Sequence, residues 1–328
     1  MESNVKHLFI LNPQAFWNKW KQDKVLANIH AFFSSSGNYE IFESRFPRDA
    51  VNFIPLYAKD LSKDITLRVY AIGGDGILFD CLNGLIGVKN AELGVIPYGL
   101  TNNFVRGFGK NAKDLFRNIE KQSKAASVPF DVIRCGNNYS LNYCIVGVEA
   151  EAIRHAEQSR KKPKRTNSLY KWLFKKFYNL FYYIGALVAH LRKKVLKHQY
   201  EMIIDGEIFK GPCLGVSVFN AAYYGNNLHP AKKAMPNDGI LDIIIVRGHI
   251  MLRTFGIIFS YIKGRYYKFP KIFKKKEGVK IKICSLNPII YSMDNISFFD
   301  NELDIELMPD AVRFIDATGY GYKGVCND

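Results

Sequence analysis

Gly73-Gly74-Asp75-Gly76 stands where the apolar run of residues 66–72 gives way to an amphipathic segment beginning at Ile77. Glycines at such a junction let the backbone turn sharply and let a ligand approach without Cβ interference. Where a helix starts at that point, its unbonded N–H groups favour an anion such as phosphate. Asp75 then has two roles open to it, holding a metal ion on those phosphates or orienting a loop amide. A plain tight turn with a capping aspartate has the same composition. A Walker loop is excluded, because no Gly-Lys-Ser/Thr ending follows. Two further aspartates, Asp238 in Asp-Gly-Ile-Leu and Asp294 in Met-Asp-Asn-Ile, read by composition alone as turn residues.

The elements that must carry these residues follow from periodicity. Residues 7–12, 39–44, 66–74 and 93–99 are short strand-like runs, with helical spacing at 17–33, 50–61 and 77–88 between them. Alternation of this kind predicts a parallel sheet with helices on its faces. Ligands of such sheets bind at the carboxyl ends of the strands, where the glycines fall. Beyond about Ser127 the period changes. Runs such as SVPFDVIRC, YSLNYCIVGVEA, YEMIIDGEIFKG, CLGVSVFNA and ILDIIIVRG, and later VKIKIC, PIIYSM, ISFFD, LDIELM and AVRFID, predict a β-rich second domain. One helical insertion, 168–196, interrupts it.

The chain has 328 residues, 48% hydrophobic and 23% charged, enough for two domains with a sizeable core. Six scattered cysteines without a C-x-x-C pair argue against a zinc site or a disulfide framework and for a reducing, cytoplasmic setting. The five-residue apolar run after His7 is too short for a signal peptide. The net charge of +16 is local: residues 154–198 hold thirteen Lys/Arg and one acid, and residues 247–276 hold nine Lys/Arg and no acid. Such patches attract an anionic partner.

GGDGILFDCLNG (73–84) resembles the nucleotide-binding motif G-G-D-G-T-x-x-E-x-x-N-G of the diacylglycerol kinase catalytic domain family. LGVIPYGLTNNFVRGFG (93–109) is similar to its second block, and FNAAYYGNNLHPAKKAMPNDGILDIIIV (219–246) to its third. A fourth likeness surrounds Asp294. The resemblance implies an α/β plus β protein of two domains. Residues 1–128 form an α/β ATP-binding domain; residues 129–328 form a β-sandwich-like domain with the helical insertion, its last residues packing back on the first. The active site is expected in the cleft between them. The implied activity is transfer of the ATP γ-phosphate, with Mg²⁺, to the hydroxyl of a diacylglycerol-like lipid in phospholipid biosynthesis.

The family's phosphate loop falls on Gly73, Gly74, Asp75 and Gly76, with Asn83 and Gly84 at its far end and Ile77 where the family has Thr. Asp80 replaces Glu. Gly99 and Asn102 match the second block, whereas Leu100 replaces its Thr, Asn103 replaces its Asp, and Thr101 offers a neighbouring hydroxyl. Asn12-Pro13 resembles the family's N-P start, and Ser44 keeps the hydroxyl of a Thr that ends the second strand. Asp238 and Leu241 match a segment that helps hold a structural Mg²⁺ in bacterial relatives; a β-turn remains the alternative. Asp294 stands at the aspartate of a D-G-E that serves as base, with Asn295 and Ile296 in place of Gly and Glu. These departures leave two readings, a lipid kinase of weakened activity or a catalytically impaired nucleotide- or lipid-binding regulator. A NAD kinase is a third, and a nucleic-acid-binding module a fourth.

Segments 160–198 and 263–276 interleave aromatics with Lys and Arg. Residues 177–191 are free of Lys and Arg but shorter than the roughly 20 residues of a membrane span. An interfacial helix shows this composition, and so does a helix burying one face in a domain core. The family's substrates favour a lipid surface over nucleic acid, so the expectation is peripheral association with anionic membrane. A homo-oligomer is compatible with the sequence.

Overall fold

A computed structural model describes residues 4–16, 19–99, 101–161, 200–209, 213–225, 228–247 and 254–325. The expected insertion at 168–196, Leu100, and residues 162–198 of the first basic segment lie outside the described residues. Two compact units are present, Met1–Val132 with Pro309–Asp328, and Ile133–Met308. The division thus falls at Val132/Ile133, against 128/129 in the sequence reading, and residues 309–328 belong to the first unit.

In the first unit β1 (Val5–Leu11), β2 (Tyr39–Glu43), β3 (Thr66–Gly73) and β4 (Ala91–Pro97) are parallel in the order β2-β1-β3-β4. Arg313 and Phe314, late in β14 (Ile296–Ile315), extend this sheet by pairing parallel with Glu92 and Leu93. Leu8–Leu11 and Val69–Ile72 are buried without a break, as in sheets covered on both faces. The helix α1 (Lys19–Phe33) buries Val25, Ile29 and Phe33, a four-residue spacing that forms one stripe. That stripe packs with Phe9, Tyr70, Ile72 and Ile96. α2 (Asp49–Lys59) and α3 (Asp75–Leu85) cross closely at Gly84, where a Cβ would meet Ala50 O at 2.8 Å. Three short helices, α4 (Asn103–Arg106), α5 (Ala112–Arg117) and α6 (Ile119–Lys124), fill a stretch for which periodicity predicted no element. Around them Phe104, Phe108, Phe116, Phe130, Phe314 and Tyr322 form an aromatic core, Phe104 and Phe314 edge-on at 4.9 Å.

The second unit is antiparallel. Its strands are β5 (Ser127–Cys135, entering from the first unit), β6 (Asn138–Ser140), β7 (Tyr143–Gly147), β8 (Glu201–Ile204), β9 (Glu207–Phe209), β10 (Gly215–Phe219), β11 (Leu241–Val246), β12 (Phe273–Gly278), β13 (Lys280–Met293) and most of β14. They run in the order β12-β11-β10-β7-β13-β14, with β8 and β9 added on β13. A register shift between Cys284 and Ile289 divides β13, whose first half pairs with β8 and second half with β7. Bulges of this kind bend a strand and let it serve two neighbours. The helices α7 (Val148–Lys161) and α8 (Thr254–Ile262) pack on this sheet. α7 begins inside the run that alternation alone assigned to a strand. The basic stretch 263–276 contributes its last four residues to edge strand β12.

Candidate active site

The loop after β3 and the loop after β4 build one structure. Gly73 O accepts from Tyr98 N at 2.9 Å and Gly99 N at 2.7 Å, and Asp75 N donates to Thr101 O at 3.3 Å. The backbones touch: a Cβ on Gly99 would stand 2.2 Å from Gly74 Cα and 2.5 Å from Gly74 N. Gly74 caps α3, and the first i→i−4 bond of that helix is Leu78 N to Gly74 O, so the N–H groups of Gly76 and Ile77 precede the helical ladder. A Cβ on Gly76 would meet nothing within 4 Å. The cradle therefore combines a helix start, an open face and close backbone packing behind it, which suits phosphate. Ile77 is 3% exposed and packs beneath the loop against Gly73.

Of the residues expected at the nucleotide, Asn12 abuts Gly73 and accepts from Gln14 N through Oδ1 at 3.0 Å. Ser44 lines a cavity of about 560 Å³ at the carboxyl ends of β1 and β2, with Pro13, Gln14 and Arg45. Its Oγ donates to Phe46 O at 3.1 Å. Thr101 and Asn102 are buried in the second loop, where Asn102 Nδ2 donates to Gly99 O at 2.9 Å. Asp75 does not face open space: Asn103 N donates to its Oδ1 at 2.8 Å and Asn103 Nδ2 to its Oδ2 at 2.7 Å. It thus engages a loop amide, one of the two roles open in the sequence. Asp80 and Asn83 serve helix packing. Asp80 Oδ2 accepts from Arg48 N at 2.9 Å at the start of α2, and burial raises its pKa against the pull of Arg48. Asn83 Nδ2 bonds back to Phe79 O at 2.8 Å.

In the second unit Asp294 and Asn295 occupy the tip of the β13–β14 hairpin with φ of 44° and 72°. Two successive left-handed residues make the mirror-image turn that favours Asn or Gly, so Asn295 takes the place of glycine with little strain. Tyr143 Oη both accepts from Asn295 N at 2.8 Å and donates to Asn295 Oδ1 at 3.0 Å. Asp294 is 3% exposed. Its carboxylate accepts from Leu141 N at 3.0 Å, Asn142 N at 3.2 Å and Tyr143 N at 3.3 Å. Burial pushes its pKa up to about 6, and the side chains of Ser140 and Asn142 with those N–H groups limit the rise. A carboxyl near 6 is matched to accepting a proton near neutral pH. Nothing in the sequence pointed to residues 140–143 as its nest.

A second carboxylate went unnoticed in the sequence. Glu149, in the first turn of α7, accepts from Ser217 Oγ at 2.7 Å, from Tyr261 Oη at 2.9 Å and from Tyr224 Oη. It thereby ties α7 to β10 and α8, and burial together with Glu149 drives the Tyr261 hydroxyl well above its ordinary pKa. Glu149→Ala removes the shared acceptor of three buried hydroxyls, of which Tyr261 Oη keeps Ser217 Oγ at 3.0 Å, and is expected to cost about 3 kcal/mol. Thermal unfolding should register a fall of several degrees; a shift under 1 °C would deny the cluster any structural weight.

Asp238, expected with Leu241 at a metal or else in a β-turn, lies in a turn that leads into β11. Asp238 Oδ1 accepts from Ile240 N at 3.1 Å, Gly239 has φ of 73°, and Leu241 is buried in β11. Among the described residues no three His, Cys, Asp or Glu side chains gather as metal ligands. With Asp75 held by Asn103, the described side chains do not fit a dedicated Mg²⁺ cage. The same residues fit a nucleotide's phosphates, through the open face at Gly76 and the helix start behind it. No described helix is long and apolar enough to cross a membrane.

Residues 6–135 match the model of the diacylglycerol kinase catalytic domain, and residues 143–316 that of the YegS C-terminal NAD kinase beta sandwich-like domain. A relative named as a candidate lipid kinase, SAR0780 of Staphylococcus aureus strain MRSA252, is 22% identical over 264 residues, 79% of each chain. Two structures from Bacillus anthracis strain Sterne superpose on the chain. One is described as a diacylglycerol kinase (TM-score 0.63, 18% identity, 95% of this chain and 96% of the other). The second, a candidate diacylglycerol kinase, gives a TM-score of 0.68 at 20% identity over 94% and 96%. At such identity the structural likeness is one of fold, and it runs through both units. On the two family matches, which together span most of its length, the chain belongs to the diacylglycerol kinase catalytic domain family of lipid kinases, with a second unit of the YegS C-terminal kind.

Proposed function

We propose that the protein transfers the γ-phosphate of ATP to the hydroxyl of a diacylglycerol-like lipid. Phosphoryl transfer asks for a cradle that holds the phosphates and a base that takes the acceptor's proton. The cradle at Gly73–Gly76, Gly99 and Thr101–Asn103 lies in the first unit, and Asp294, a candidate base, in the second. The observation that carries the reading is Asp294 itself, a buried carboxyl met by three backbone N–H groups at a hairpin tip, whose burial pushes its pKa up to about 6. Mg²⁺ neutralises charge on transferring phosphates in enzymes of this chemistry, and it is bound largely through substrate oxygens and water. The impaired-regulator reading draws on one observation, that Asp75, Asp80 and Asp238 all have protein partners. Incubation with γ-labelled ATP, Mg²⁺ and vesicles of total lipid extract, beside the Asp294→Asn variant, separates the two. Labelled lipid that disappears in the variant supports the kinase; no label from the wild type sinks it.

The second basic segment supports docking on anionic membrane. Lys275 is engaged by Asp242 at 2.6 Å and Glu277 at 2.7 Å, and Lys276 by Glu207. Lys263, Arg265, Lys268 and Lys271 form no ion pair among the described residues, and Tyr267 beside them is 69% exposed. Each cation near an anionic surface is worth about 1 kcal/mol. Replacing these four by Gln is expected to lower sedimentation with phosphatidylserine vesicles at least about tenfold, whereas replacing Lys274–Lys276 should matter less. Equal binding by the fourfold variant would remove this surface from consideration.

A further inference from the structure

Asn103 meets both oxygens of Asp75. The Asn103 N–H and side-chain amide lie at 2.8 and 2.7 Å, with Asp75 4% and Asn103 1% exposed. Two N–H donors to a buried carboxylate make charge-assisted hydrogen bonds that offset part of the cost of burying its charge. The same two bonds fix the start of α4, and with it the second glycine loop, against the first. The fit is close, since the Gly74 and Gly99 backbones leave no room for a Cβ between them. An acid at 103 would set two carboxylates at hydrogen-bond distance in a buried site, an arrangement that persists only with a shared proton or a cation.

We propose that Asn103 is a positioning residue that makes the cradle self-supporting, so that it forms, and accepts a nucleoside triphosphate, without a divalent cation. A metal ion taking part in transfer then arrives on the nucleotide. The second half of the proposal rests on the nucleotide reading given above, and the first half does not.

Two measurements test it. Thermal unfolding without nucleotide, in EDTA and in Mg²⁺, compares the wild type with Asn103→Asp and Asn103→Ala. The wild type is expected to unfold at the same temperature in both. Asn103→Asp should fall by about 5 °C in EDTA and recover in Mg²⁺, while Asn103→Ala falls in both and does not recover. A saturable Mg²⁺ stabilisation of the wild type that is lost in Asp75→Asn would overturn the proposal, and so would an Asn103→Asp protein as stable as wild type in EDTA. In the second measurement a fluorescent ATP analogue is titrated against the wild type. Affinity in EDTA within about threefold of that in Mg²⁺ is expected. Binding that appears only with Mg²⁺ overturns the cation-free site; binding in neither condition overturns the nucleotide reading and leaves the clamp to be judged by the unfolding data.

Discussion

Replacing Asp294 by asparagine is expected to lower phosphate transfer to lipid by about a thousandfold, within the range for loss of a general base. Asparagine is close in shape and accepts the left-handed φ of 44°, so the hairpin tip should survive. The ionised carboxyl is the active form, so the wild-type rate should fall as pH drops through about 6. Stability moves the other way. The folded-state pKa lies above the ordinary value of 3.8, so folding gains from protonation. That contribution is complete below 3.8 and is lost as pH rises through 6, a difference on the order of 3 kcal/mol. Compared with Asp294→Asn, the wild type should therefore become relatively more stable on going from pH 7 to pH 5. A rate that is flat across that interval, or a variant that still labels lipid, would take the base away from Asp294.

The cradle offers a contrast between two glycines. Gly99→Ala drives a methyl to 2.2 Å from backbone of the neighbouring loop, which cannot yield as a side chain can. A cost of about 3 kcal/mol or more is expected, lowering the unfolding temperature by roughly 10 °C. Gly76→Ala adds the same methyl in open space within the first turn of α3. It should raise stability by about 0.5–1 kcal/mol, through the lower entropy of the unfolded chain. It should still weaken nucleotide binding at least about tenfold, if the phosphates occupy the face the methyl fills. Calorimetry with an ATP titration reads both quantities. A Gly76→Ala protein that binds ATP as well as wild type would place the phosphates elsewhere.

The sequence was most legible where periodicity and burial agree. The strands β1 to β4 and the helices α1 to α3 lie within a few residues of their expected positions, because strands buried on both faces and helices with one apolar stripe leave strong patterns. The helices α4 to α6 were not legible: each is four to six residues long, too short to repeat a period. α7 was hidden because its first residues continue the apolar run of β7, and only Glu149 and Glu151 mark a helix start. At the site, the motif showed where the glycines and aspartates lie in the chain but not which way they face. Asp80 and Asn83 share the motif with Gly76, yet they point to α2 and back along α3. The nest of Asp294 comes from residues about 150 positions away, and backbone N–H groups leave no trace in residue type.

The strand β14 begins in the second unit and ends in the sheet of the first, so the first unit is assembled from two stretches of chain separated by the whole of the second. During synthesis its amino-terminal portion emerges first and is completed last. Until residues 309–322 arrive, β4 has β3 on one side but lacks its second parallel neighbour, and Phe104 and Phe108 lack Phe314 and Tyr322. A nascent chain in that condition presents an unpaired strand edge and an open aromatic core, the features that draw chaperones and invite mispairing. Translation order thus leaves the edge of the first unit's sheet and its aromatic core, but not the glycine cradle with its bonds among residues 73–103, for the last residues to complete.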